Sequence, residues 1–540
     1  MESLYTDVLV IGGSASGVCA ALSAARHGCD VILTEETSWV GGMLSAAGVS
    51  AFDGNHLLPS GLFGEFRKRL LQYYGSAQEL ATGWVSNTHF EPHVAHQIFT
   101  SMLQEQESIR QCMGYKPIEI LKKRNEDKES VAGAIFNSSL QKAVRIEAAV
   151  TIFADEFGDC VSLSALPWHT GLEGRSVFKE DLGPVEPLLH PQDFTWVATV
   201  VVKQPIQFAQ DTLKWTRSGE FSQILGSPPI SLDCFLSYGA LPNQKAMINW
   251  PIRGNDFYGN YLDSSEDREL LWQKARKKTQ RLVHLLQSSL QSGSIDFAEN
   301  EYLEEGNSGK SDGLALIPYI REARRIFGIQ TLTLNDVLKA DESPLFEHSI
   351  AVGDYPLDHH REQDPEYKEI QFPAIQAFCI PYQTLVPKNL EQVLVIEKSI
   401  SVSGLVNGAT RLQPVVMQLG HCAGIAAAMA VQERISPSKI NIEALQYSLL
   451  QENAYLVPTH DVSVDDPDFI PIQLAVLNKV LLLHRLSENW VNKGFAEPDK
   501  NIEYEGQLIT RREAARRFFA LKYGDSKKPE LNLVEKSQRE

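Results

Sequence analysis

At 540 residues and 43% apolar content the chain can bury a large core, spread over roughly two to four structural units. Acidic residues outnumber basic ones, 68 to 50, and the formal charge of −18 argues against a nucleic-acid partner, whose phosphates need clustered cations, while leaving room for a local basic pocket. The seven cysteines (Cys19, Cys29, Cys112, Cys160, Cys234, Cys379 and Cys422) are scattered without a C-x-x-C pair, which points to reduced core thiols and to neither a disulfide framework nor a zinc site.

No charged-then-apolar leader precedes the first strand near Tyr5, and no apolar run approaches membrane-spanning length, so a cytoplasmic protein without a membrane partner is expected. Residues 5–11 read as a buried strand, 15–27 as a small-residue helix and 29–35 as a second strand ending in acid, together a βαβ opening. From about 50 to 110 the stretches "GLFGEFRKRLLQYYG" and "VAHQIFTSMLQEQ" space apolar residues three and four apart, which predicts helices. Residues 115–155 predict short strands around the charged turn "KKRNEDKES". Strand-like pieces such as "FTWVATVVV" and "QKAMINWPI" lie among helices and Pro-containing loops over about 165–380. "VLVIE" at 393–397 and the long small-residue helix after it return the chain to its first fold. Beyond about 435 the chain reads as polar and helical, and the composition of its closing "GDSKKPELNLVEKSQRE" predicts disorder. The expected architecture is α/β: a Rossmann-like nucleotide domain (1–165 and 386–435), an inserted α+β substrate-facing region (166–385) and a small helical C-terminal module (436–540).

In "GGSASG" the first glycine, Gly12, makes the tight turn after the strand, the middle position lets a pyrophosphate approach the backbone, and Gly17 lets helix pack on strand. The middle position is Ser14, whose Cβ stands where the cofactor passes closest, with Gly13 beside it keeping the turn flexible. The helix start offers free N–H groups and a positive dipole end to phosphates. Glu35, 23 residues after Gly12, can accept hydrogen bonds from ribose hydroxyls and would repel a 2′-phosphate, which disfavours NADP. Gly41 and Gly42 stand six and seven residues after Glu35, an arrangement that resembles FAD enzymes of the glutathione-reductase and fumarate-reductase type. With no second glycine fingerprint for a nicotinamide and no close cysteine pair for disulfide relay, FAD is the expected cofactor.

The ordered pieces "GGSASG", "GGMLSAAG", "FEPHVA", "FADEFGDCVSLSALPWHTGLEGRS", "INWPIRGNDFYG", "ALIPYIREARRIFG", "SIAVGDYPLDHH", "PYQTLVPKNLEQVLVIEKSISVS" and "NGATRLQPVVMQLGHCAGIAAAMA" resemble the broad FAD-dependent oxidoreductase family over roughly residues 5–435. The resemblance implies cofactor contacts from Gly12, Gly13, Ser14, Ser16, Gly17, Glu35, Gly41, Gly42, Met43, Asp159, Asn407, Arg411 and Gln413. Three positions depart from the family pattern: Ser14 replaces a glycine, Asp155 stands where a threonine is expected, and His421 stands where glutamine is common. The segment after 435 looks like a helical appendage seen in such proteins, faintly similar to an S-layer-homology repeat, and reads as a docking or packing module.

The resemblance also aims the N-terminus of the helix after "NGATRLQP" at the flavin pyrimidine ring, where its dipole and Arg411 would stabilise charge developing on reduction. Pro414 suits the first turn of that helix, and Gly420, Ala423, Gly424 and Ala427 give it a close-packing face. In "IPYIREARR" a helical reading puts Arg321 and Arg325 on one face, with an arginine paired to Glu322 or Asp336, and with a buried ion network and an anion-binding role equally open. Tyr319 beside it could donate a proton or only pack. "INWPIRGNDFYG" offers Asn249, Arg253, Asn255 and Tyr258 in a loop, and "DYPLDHH" offers Asp358, His359 and His360. His360 or Tyr319 is the candidate for proton handling, and Arg253, Arg321 or Arg411 for anchoring an anionic substrate. No third metal ligand stands at diagnostic spacing, so no metal is expected. The primary reading is hydride transfer from a small polar or anionic molecule to flavin N5. A reductase of an activated alkene or imine and a flavin-containing assembly protein stand as alternatives. The oxidant (oxygen, a quinone, a redox partner protein or a second substrate) and homo-oligomerisation stay open.

Overall fold

The computed structural model describes residues 2–125, 128–203, 220–221, 224, 230–249, 254–263, 266–290, 293–303, 309–486 and 493–524. The apolar opening forms β1 (Glu2–Ile11), α1 (Ala15–Arg26) and β2 (Val31–Glu35). Helices α2 (Gly61–Tyr74) and α3 (Pro92–Gln104) lead into β3 (Ile109–Met113). Where short strands were expected, a long meander stands instead: β4 (Tyr115–Asn125), β5 (Lys128–Ser138) and β6 (Ala143–Phe153). Its length follows from antiparallel pairing that runs the whole way along β4 and β5, while β6 continues parallel to β1 from Glu2 opposite Val144 to Ile11 opposite Phe153.

The intervening region supplies a second sheet from β7 (Ala198–Val202), β8 (Ala240–Leu241), β9 (Lys245–Ile248) and, after the helix α4 (Arg268–Ser289), β10 (Ile295–Phe297). These pair antiparallel in the order β10-β7-β9-β8. A further antiparallel pair, β11 (Ser349–Gly353) and β12 (Phe378–Pro381), precedes β13 (Leu390–Glu391) and β14 (Val393–Val395). β13 and β14 return the chain to the first sheet, which has eight strands: β13-β5-β6-β1-β2-β3 along its path, with β14 on β6 and β4 on β5.

Two helices complete the site, α5 (Gly404–Thr410) and α6 (Gln413–Glu433). α6 lies against α1 with almost no gap, because a Cβ on Gly420 or Gly424 would run into the carbonyl oxygen of Ser16 or Ala20. Contrary to the sequence expectation, α6 is long and apolar enough to cross a membrane, but 94% of its apolar window is buried within the protein, as befits a core helix. The C-terminal module is also less purely helical than expected. Besides α7 (Ile442–Gln451), α8 (Phe469–Leu477) and α9 (Arg511–Tyr523) it holds two hairpins, His484–Leu486 with Lys493–Phe495 and Asn501–Tyr504 with Gln507–Thr510. The second hairpin turns at Glu505 and Gly506, both at positive φ, as a two-residue hairpin turn requires. The charged tail falls outside the described residues.

Candidate functional site

The glycine-turn residues meet at the C-terminal edge of the main sheet, the crevice where open α/β sheets bind ligands. Gly12 sits at φ +108°, where a Cβ would come within 2.5 Å of Asp155 N, and Gly17 packs so tightly on the Gly12 carbonyl oxygen that no side chain fits. Ser14 caps α1: its Oγ accepts the Gly17 N–H at 3.1 Å and lies 3.0 Å from Ser16 Oγ. The Gly41 N–H donates to Gly13 O at 2.7 Å, and both Gly41 and Gly42 occupy the left-handed region. Glu35 ends β2 as expected, and its carboxylate accepts the N–H groups of Gly13 and Thr37, each at 2.8 Å. Burial pushes this carboxyl up to about 7 against the pull of those hydrogen bonds. The Met43 N–H donates to Glu156 at 2.9 Å, a partner not foreseen from sequence, and Glu156 is in turn ion-paired with the buried ammonium of Lys398. Asp159 is held by Arg268 at 2.7 and 2.8 Å and by Arg324 at 2.6 Å. A cavity of about 790 Å³ runs from Glu36 and Lys116, beside the end of β2, past Asp159 and Arg268 to Trp196 and Ile317.

A second, smaller cavity of about 180 Å³ opens where α5 hands over to α6, lined by Asp53, Tyr238, Asn249, Tyr319, Arg321, Tyr355, Asp358, His360 and Arg411, with Val49, Ala51, Val85 and Met247 as its apolar walls. Ser403 caps α5, Arg411 closes it, and Pro414 stands in the first turn of α6. Arg411 donates to Tyr319 Oη at 2.7 Å and to Asp358 Oδ2 at 2.6 Å. Asp358 also meets His360 Nε2 at 3.0 Å, while His360 Nδ1 faces Asp256 Oδ2 at 3.6 Å. Arg321 sits over the Tyr319 ring and donates to Asp193 O at 2.7 Å and Thr195 Oγ1 at 3.2 Å, with Asp256 Oδ1 at 3.1 Å. Burial opposes the charge on Asp256 and Asp358, yet Arg321 beside the first and His360 beside the second hold both well below the usual carboxylate range. Burial likewise opposes the imidazolium of His360, and Asp358 outweighs it, raising the ring above its ordinary value. Asp53 is different: burial lifts its carboxyl to about 6, with Arg411 pulling the other way.

Four of the five predicted catalytic residues, His360, Tyr319, Arg321 and Arg411, are thus brought together, and Arg253 lies outside the described residues. Asn249 lines the same cavity, whereas Asn255 bonds to Trp196 O and Thr279 inside the protein, Tyr258 packs on His190, and His359 stacks on Phe372. The helical reading of "IREARR" is corrected: Arg325–Ile326 is a short strand paired with Trp168–His169. Each arginine there is drawn to a different acid, Arg321 to Asp256, Arg324 to Asp159, and Arg325 to Glu322 and Glu173, which a regular helix could not reach together. Glu322 is fully buried and also takes Arg361 at 2.7 Å and the Gln192 N–H at 3.0 Å. Asp336, the alternative partner, caps the helix that starts after Thr333. His421, the third departure from the family pattern, pairs with Glu452 at 2.7 Å. Sequence reasoning missed Asp53, which no spacing or motif marks, and passed over Asp256, which stands next to Asn255 within "INWPIRGNDFYG".

These residues suit a flavin dinucleotide. The glycine turn excludes side chains at Gly12 and Gly17, Glu35 ends β2 bonded to that turn through the Gly13 N–H, and two buried polar atoms beside the smaller cavity, Asn407 Oδ1 and Arg411 Nε, have no protein partner among the described residues. No curated protein matches the sequence. Among solved structures, the chain is similar to a geranylgeranyl bacteriochlorophyll reductase-like protein from Thermoplasma acidophilum, with 11% identity over 97% of this chain and 98% of that one and a TM-score of 0.37. It is also similar to p-nitrophenol 4-monooxygenase from Pseudomonas putida (11% identity, 89% and 88% covered, TM-score 0.31) and to anhydrotetracycline hydroxylase from Streptomyces rimosus (10%, 88% and 68%, TM-score 0.35). A family model described as FAD dependent oxidoreductase matches residues 7–449. The chain belongs to the FAD-dependent oxidoreductase family, and its cofactor is FAD.

Proposed function

We propose that this enzyme oxidises a small polar molecule at a carbon bearing a hydroxyl or amine, in the cavity beneath Arg411. The observation that carries the reading is a carboxylate with a near-neutral pKa, Asp53, sharing a cavity of about 180 Å³ with the Arg411–Tyr319 pair. FAD supplies the two-electron redox chemistry when bound. Asp53 takes the hydroxyl or amine proton as the adjacent C–H bond is broken, a task for which a carboxyl near 6 is well matched at neutral pH. Arg411 donates to the Tyr319 oxygen, which leaves the phenolic O–H to donate into the cavity and orient the substrate. Arg321 and Arg411 already carry Asp256 and Asp358, so the cavity exerts little net pull on an anion, and this supports a neutral polar substrate over the anionic one the sequence left open.

The test is the visible spectrum of the purified FAD-loaded protein, recorded anaerobically while hydroxy compounds, amines, sugars, hydroxy acids and enoates are added. Bleaching by a neutral hydroxyl compound or an amine is expected. If no donor bleaches the flavin while an enoate or imine reoxidises the pre-reduced protein, the reaction runs as a reduction and the proposal falls.

A further inference from the structure

We propose that the groove between α2 and the C-terminal module is a binding site for an organic phosphate with an apolar body, separate from the substrate cavity. The groove measures about 730 Å³, within the range of small-molecule sites, and shares no lining residue with the cavity beneath Arg411. Pro59, Leu62, Leu71 and Val464 build its apolar side, and Arg67 and Lys68 of α2 its basic side. In the basic run 67–69, Arg69 is held by Glu65 and Glu105. Arg67 is in a different state. It is half-buried, and burial alone pushes its guanidinium below the ordinary value, with no carboxylate pulling the other way. Its charge also helps burial hold the neighbouring His56 down, so the potential around it is positive. Lys68, next in the chain, is exposed on the same groove.

The start of α2 adds to this charge. Gly61 opens the helix on the groove, no acid stands in its first turn, and the N-cap Ser60 makes no side-chain bond to the helix. The Ser60 hydroxyl instead accepts the Tyr455 N–H at 2.8 Å, which leaves the positive helix end without the oxygen that normally covers it. A buried imidazole from another helix is aimed at the same place. His421 of α6 is 1% exposed, its Nε2 lies 2.7 Å from Glu452, and its Nδ1 is turned to Gly61, where a Cβ would come within 2.3 Å of it. Only glycine, here at φ +48°, leaves room for that nitrogen at the helix end. Nδ1 can accept the O–H of a phosphate monoanion or, on a protonated ring, donate to the dianion. The acids of the groove do not oppose this: Glu65 is paired with Arg26 and Arg69, Glu452 also meets His27 at 3.2 Å, and Asp465 is exposed at the rim. A phosphate suits the set better than a carboxylate, because its three oxygens can meet a guanidinium, a helix start and an imidazole supplied by two helices.

The experiment is calorimetric titration of the FAD-loaded full chain with phenyl phosphate at low salt, for the native protein, Arg67→Ala and Lys68→Ala. Arg67 is half-buried and Lys68 exposed, so neither change opens the core. One equivalent bound with a Kd below about 1 mM, weakened about ten-fold or more by Arg67→Ala with FAD content and flavin spectrum unchanged, is the expected result. Failure of the native protein to bind phenyl phosphate in that range overturns the proposal. So does binding that both variants leave intact, which would place the ligand elsewhere. Vesicles of phosphatidic acid distinguish the source of the phosphate: sedimentation with them that Arg67→Ala abolishes assigns the site to a lipid headgroup, and its absence to a soluble ester. None of these outcomes depends on the substrate or on the direction of the redox reaction.

Discussion

Replacing Asp53 with asparagine should lower activity and raise stability together, and the two effects have one cause. Folding lifts the Asp53 carboxyl from 3.8 to about 6, chiefly by burial, with Asp358 adding to the rise and Arg411 and His360 opposing it. The folded state therefore holds this proton more tightly than the unfolded chain. Its advantage is full below about pH 4 and is lost as the pH rises through 6. At pH 8 the ionised carboxylate costs roughly 3 kcal/mol by that rise, reduced to about 1–2 kcal/mol because the group lines a cavity instead of the packed core. Asparagine keeps the shape and carries no charge, so urea unfolding should show Asp53→Asn more stable by about 1–2 kcal/mol at pH 8 and unchanged near pH 4. Anaerobic stopped-flow bleaching of the flavin by substrate should be about 10²–10⁴-fold slower in the variant. The native rate should climb through about pH 6 and then level, while the variant rate stays flat. A variant that keeps near-native bleaching, or that is less stable than the native protein at pH 8, would refute the assignment of Asp53 as the base.

Three further substitutions separate the roles of the surrounding residues. Gly17→Ala drives a Cβ into the Gly12 carbonyl oxygen, lifts α1 off its strand, and should weaken FAD binding about ten-fold or more by flavin-fluorescence titration; unchanged affinity would remove Gly17 from the cradle. Ser14→Gly should cost only a few tenths of a kcal/mol and leave FAD affinity within about two-fold, because the serine acts as a helix cap; marked tightening would show that its Cβ obstructs the cofactor. Glu322→Ala strips Arg325 and Arg361 of a shared buried carboxylate and should cost about 3–5 kcal/mol in urea unfolding, with a loss under 1 kcal/mol counting against the buried network.

The cofactor end of the molecule was legible because its chemistry is local in the chain. A strand, a glycine turn, a helix and a second strand ending at Glu35 lie within residues 5–35, and backbone sterics at Gly12 and Gly17 leave few alternatives for such a run. The small face of α6 was legible for the same reason, since Gly420 and Gly424 recur at helical spacing and meet α1 backbone to backbone. The periodic rule misled at "IREARR", where arginines spaced as on a helix are pulled apart by Asp256, Asp159 and Glu173, three acids that lie far apart in the chain. Tertiary ion pairing outweighed local propensity there.

The chemistry of the smaller cavity was less legible, and the reason lies in how its charges are tuned. His360 stood out as a titratable residue in a recurring motif, and a free histidine is a natural base. In the fold, Asp358 and Asp256 flank both of its ring nitrogens, and the charge those carboxylates favour makes it a poor acceptor. Asp53 carries no motif at all, yet burial moves it into the range a base needs, and it shares the cavity with Arg411 and Tyr319. On the proposed reading, proton handling passes from the residue that looks catalytic in the sequence to one whose pKa is set by desolvation. A carboxylate in this position stays useful only while the cavity remains closed enough to keep its pKa high and open enough to admit substrate. On that reading the apolar walls Val49, Ala51, Val85 and Met247 belong to the proton chemistry, because a polar side chain at any of them should solvate Asp53 and return it toward an ordinary carboxylate.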